Sequence, residues 1–82
     1  MPFVRLQSMT NKNGLDRKTL SDLATRANRA IESQDYEECY VTAIDIASAV
    51  ALAKEAGQHR DAMLLKQLVD TLQITAWANR PV

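Results

Sequence analysis

The stretch Asp35–Ala56, DYEECYVTAIDIASAVALAKEA, is the longest unbroken helical signal in the chain and its most apolar part. At 100° per residue, Tyr36, Cys39, Tyr40, Ala43, Ile44, Ile46, Ala47, Val50, Ala51 and Ala53 fill about half of its circumference. One neighbour cannot cover a face that wide, so at least two are expected. Asp35 and Glu38 have the D-x-x-E spacing of a capping box. Glu37 and Glu38 fall where the helix dipole favours negative charge by about 0.3–1 kcal/mol each, which accounts for the acid cluster without chemistry. At the other end Gly57 is suited to a left-handed cap.

On the N-terminal side, Asp16 is placed to cap a helix, and Leu15 before it to staple onto Leu20. Leu20, Leu23, Ala24, Ala27, Ala30 and Ile31 recur at spacings of three and four within an arc of about 120°, one buried face with the other face wet. Three alanines among the six allow a close helix–helix approach. On the C-terminal side, Ala62, Leu64, Leu65, Leu68, Val69, Leu72 and Ala76 make a third core stripe, and Pro81 prevents continuation.

The expected fold is therefore all-α: an up-down-up three-helix bundle with helices over about 16–33, 35–56 and 59–78, and the second helix touching both others. Residues 1–14 form an irregular N-terminal arm with Phe3, Val4 and Leu6 as its apolar content, and residues 15–82 form the helical domain. The fragments DYEE at Asp35–Glu38 and AGQHRDA at Ala56–Ala62 do not recur at a 34-residue period, so a helical-repeat array is not expected.

Eighty-two residues suffice for one domain. A chain this short buries only about 60% of its unfolded surface, so its stability is modest unless copies associate. Ten basic and ten acidic side chains cancel, which removes any global electrostatic case for nucleic acid or an anionic membrane. Their distribution is uneven. Met1–Ile31 carries six Lys/Arg against two Asp, and Glu32–Ala56 one Lys against six acids. The single cysteine, Cys39, excludes an intrachain disulfide and a thiolate cluster, and points to a reducing, cytoplasmic setting. MPFVRLQSMT lacks the features of a signal peptide, and the apolar run Val41–Ala53 is interrupted by Asp45 and too short for a bilayer.

Motifs for chemistry are weak. His59 has no companion at metal-ligand spacing, no Gly-rich loop is present to hold phosphate, and Cys39 lies on an apolar arc where a thiol is inert. The chain is expected to be no enzyme and to need neither metal nor cofactor. Lys18, Arg26 and Arg29 share one side of the first helix, and TLSDLATRANRAI (Thr19–Ile31) has the cadence of a helix-turn-helix segment. A DNA-binding regulator is thus the alternative function. Asp22 among the basic residues and the acidic helix that follows weigh against it.

The more informative residues are those without a place in the core. Val41 and Leu52 point within about 20° of each other on the polar side of the second helix. Met63, Ile74 and Trp77 fall about 90° or more off the main arc of the third. These five are expected to stay exposed and to bind a partner, in a small interaction module acting as adaptor, assembly factor or occluding inhibitor. A homodimer is the expected assembly, because twofold symmetry buries the same patch twice.

Overall fold

The computed structural model describes residues 14–82; the rest of the expected N-terminal arm, residues 1–13, lies outside them. Three helices, Arg17–Ser33 (α1), Tyr36–Glu55 (α2) and His59–Ala78 (α3), run up-down-up as a three-helix bundle, with no strand among the described residues. Each boundary falls within a residue or so of its expected place.

The ends of the helices are set by local chemistry. Asp16 caps α1, accepting from the Thr19 backbone N–H at 2.8 Å, and that bond holds its carboxyl below the ordinary value. Its contribution is present above the ordinary carboxyl pKa of 3.8 and is lost as pH falls through the lowered value. α2 ends in a Schellman turn: Gly57 takes a φ of 80°, the Gln58 N–H donates to the Ala53 carbonyl at 2.8 Å, and the Gly57 N–H donates to Lys54.

The α1–α2 joint differs from expectation. Asp35 is the N-cap of α2, but its side chain makes no capping bond. The joint is held from the α1 side instead. Ser33 Oγ donates to the Ala30 carbonyl at 2.7 Å and accepts from the Asp35 N–H at 3.2 Å. Gln34 takes up the left-handed conformation, φ 55°, that a glycine usually supplies.

α2 and α3 form the intimate pair, and α1 packs against both. Their seam is rich in alanine: Ala43 and Ala53 on α2 and Ala62 and Ala76 on α3 are buried around Ile46, Leu65, Val69 and Leu72. α1 inserts Ala27 and Ala30, with Leu20, Leu23 and Ile31 partly covered. Two bonds fix which flank of α2 it occupies: the Cys39 thiol donates to the Ala30 carbonyl at 3.1 Å, and Arg26 pairs with Asp45 at 2.9 Å. Its start is tied to the α2–α3 turn by the Gln58 carboxamide, whose Oε1 accepts from the Leu15 N–H (2.7 Å) and whose Nε2 donates to the Leu15 carbonyl (3.0 Å).

That choice of flank corrects the expected core. Tyr40, Ile44, Ala47 and Ala51 of α2, and Leu64 of α3, are exposed. Thr42 and Ala49 are buried in their stead. The Cys39–Thr42–Ala49 flank presents short side chains, so α1 can approach closely there; Tyr40 and Ile44 would hold it away. The Thr42 hydroxyl is fully buried and finds no hydrogen-bond partner among the described residues.

Three substitutions test this account by thermal or urea unfolding. Gly14→Ala places a Cβ on the Gln58 carboxamide and breaks its bracket around Leu15, so a loss of about 1–2 kcal/mol is expected. Gln34→Gly relieves the left-handed strain and should stabilise by about 0.5–1 kcal/mol. Thr42→Val removes an unpaired buried hydroxyl at nearly constant shape and should add about 1 kcal/mol. A destabilised Thr42→Val protein would mean that the hydroxyl has a partner.

Candidate functional site: an open trough between α2 and α3

α1 covers one side of the α2–α3 pair, and among the described residues no element covers the other. A trough of about 300 Å³ runs there, lined on α2 by Tyr36, Tyr40, Ala43, Ile44 and Ala47 and on α3 by Gln73, Ala76 and Trp77. It continues past Ala47 and Gln73 into a shallower section of about 270 Å³, bounded by Val50 and Lys54 on α2 and by Lys66, Val69 and Asp70 on α3. At its other end Tyr36 also borders a recess with Gln34, Asp35, Glu37, Asn79 and Pro81. No residue of α1 lines the two main sections.

The helical repeat explains why these side chains converge. Tyr40, Ile44, Ala47 and Ala51 point within an arc of about 60° on α2, turned away from the flank that α1 covers. Tyr36 and Tyr40, four residues apart, stack with ring centroids 5.9 Å apart and planes 11° from parallel. Trp77 stands across from them on the last turns of α3, 66% exposed. The Arg80 guanidinium lies 3.8 Å from its ring centroid and donates to the Trp77 carbonyl at 2.7 Å, so one face of the indole carries a cation. Three aromatic rings and Ile44 thus share a concave surface, with acids at one end and lysines at the other.

All five residues expected to bind a partner are exposed: Val41, Leu52, Met63, Ile74 and Trp77. The trough gathers one of them, Trp77. Val41 and Leu52 flank Asp45, which faces α1, and so lie towards the opposite side of α2. Met63 and Ile74 point within about 20° of each other, outward from α3 beyond the rim of the trough. Tyr36, Tyr40 and Ile44 were missed because their arc on α2 was assigned to the core. The available signal was their bulk, since two neighbours of α2 cannot enclose ten apolar positions of that size.

The residues of the alternative function are also placed. Lys18 and Arg29 are exposed on the outer face of α1 with Asp22 between them, and Arg26 is engaged by Asp45. Cys39 is fully buried; burial first, then the charges of Asp35 and Glu38, push its thiol up, so the neutral form is favoured. His59 begins α3, a helix length of α2 away from Cys39. Among the described residues there is no group of three or more His, Cys, Asp or Glu placed to hold a metal, and no helix is long and apolar enough to cross a membrane.

No family model, curated protein or solved structure matches the chain.

If the trough is surface and not core, its truncation is mild. In dilute protein, Tyr40→Ala, Ile44→Ala and Trp77→Ala should each change stability by less than about 1 kcal/mol, whereas Ile46→Ala or Leu72→Ala should lose about 2–5 kcal/mol. Chemical denaturation of the five variants side by side separates the two classes. Equal losses would place the aromatic residues in the core.

Proposed function

We propose that the protein is a small helical protein–protein interaction module, which works by seating an apolar surface of another protein in the trough between α2 and α3. The observation that carries this reading is the exposure of Tyr40, Ile44 and Trp77 together on one concave face. Exposed aromatic side chains beside a groove are the usual anchors of a protein interface, because each buries a large area with little loss of rotamer freedom. An amphipathic helix is the natural occupant of a groove between two helices. Such a module serves as an adaptor, an assembly factor or an inhibitor that occludes a larger partner, and it performs no catalysis itself.

Self-association belongs to the same reading, since a twofold pairing covers the trough of both copies at once. The DNA-binding alternative draws less support. With Arg26 paired to Asp45, the basic face retains Lys18 and Arg29 opposite Asp22, which is little charge to set against phosphate.

Capture from the native host tests the reading, with the chain and a Tyr40→Glu/Trp77→Glu variant immobilised in parallel. A stoichiometric protein retained by the first and lost from the second, while both melt alike, is the expected result. A partner held equally by both would move the binding surface elsewhere on the molecule.

A further inference from the structure

We propose that α1 is a hinged cover, which lifts from the α2–α3 pair as one unit, turning about the Ser33–Asp35 joint, while that pair stays folded. The inference goes beyond the docking reading, because it concerns the flank of α2 turned away from the trough.

Little holds α1 down. Most of the packing in the bundle lies between α2 and α3, and α1 meets each of them far less. The only side chains of α1 that are fully enclosed are those of Ala27 and Ala30, while Leu20, Leu23 and Ile31 are partly covered. Burial scales with apolar area, so two alanines anchor the helix weakly. Its polar attachments among the described residues are the Gln58 carboxamide on Leu15, the Arg26–Asp45 pair and the Cys39 thiol on the Ala30 carbonyl. The ion pair is half exposed, and a thiol is a weak donor.

Two features of the closed form are relieved when α1 lifts. Gln34 holds a φ of 55° because the joint folds α1 back onto α2, and a released joint returns it to negative φ. The Thr42 hydroxyl, buried without a partner on the flank that α1 covers, regains water. Meanwhile the turn between α2 and α3 is closed by its own backbone, from Gln58 to Ala53 and from Gly57 to Lys54, and keeps those bonds without α1. A segment so attached opens at a lower free energy than the whole fold. The molecule then carries one surface open at all times, the trough, and a second strip, Cys39, Thr42 and Ala49, uncovered only when α1 lifts.

Cys39, the one cysteine of the chain, reports the opening, since its thiol is wholly enclosed in the closed form and reacts only when uncovered. Labelling of the full chain by excess aromatic disulfide, followed by absorbance in water and in urea below the unfolding transition, measures it. The native chain should react at least about tenfold faster than global unfolding allows, with a weak dependence on urea. Gln58→Ala frees the end of α1 remote from Cys39 and should speed labelling about tenfold. Val50→Ala/Val69→Ala, on the trough side of the pair, should lower the urea midpoint and leave labelling in water unchanged. A rate that follows global unfolding in all three proteins overturns the cover. Labelling that is fast but indifferent to Gln58→Ala overturns it too, because only the first turns of α2, where Cys39 lies, would then be fraying.

Discussion

The close approach of α2 to α3 is the constraint from which the rest of the molecule follows. It depends on alanine: with Ala43, Ala53, Ala62 and Ala76 in the seam, the helices settle against each other around a few larger side chains. Ile46 and Leu72 are the largest of these that are fully enclosed. Each contributes roughly 1.5–3 kcal/mol of burial, and an alanine far less. A core of this kind is thin. It holds three helices in register without the reserve that a leucine-rich interior would give.

A thin core leaves α1 dependent on polar attachments at both of its ends. Near Leu15 the Gln58 carboxamide imitates a strand partner, donating to and accepting from one residue's backbone. Near Ala30 the Cys39 thiol of α2 donates to that residue's carbonyl. Between them stands the Arg26–Asp45 pair, half exposed and therefore of small weight in stability but specific in direction. Together these contacts fix α1 on one flank of the pair and leave the other flank, with its aromatic rings, uncovered.

Helix limits were legible in the sequence because they are written in single residues. Asp16 accepts from a first-turn N–H, Gly57 turns left-handed, and α3 stops short of Pro81, each by a mechanism local to a few residues. Gln34 was not legible, since nothing in its chemistry announces a positive φ; the surrounding joint imposes it. The Asp35–Glu38 spacing suggested a capping box, but Ser33 holds the Asp35 N–H instead. The flank chosen by α1 was also beyond reach. Hydropathy ranks Tyr40 and Ile44 above Thr42 for the interior, whereas close packing favours the smaller side. Periodicity separated Val41, Leu52, Met63, Ile74 and Trp77 from the core stripes, and each is exposed. It gave no information on how one helix is rotated against the next, and so did not foresee that Trp77 would share a surface with Tyr36 and Tyr40.

The open trough has a colloidal consequence. Ten positive and ten negative side chains leave the chain with a formal net charge of zero at pH 7, so no long-range repulsion keeps neighbouring molecules apart. An uncovered apolar strip on such a molecule sets a ceiling on the concentration at which it remains dispersed near neutrality. A protein seated on the strip, as proposed above, would therefore also act as a solubilising agent for the chain that carries it.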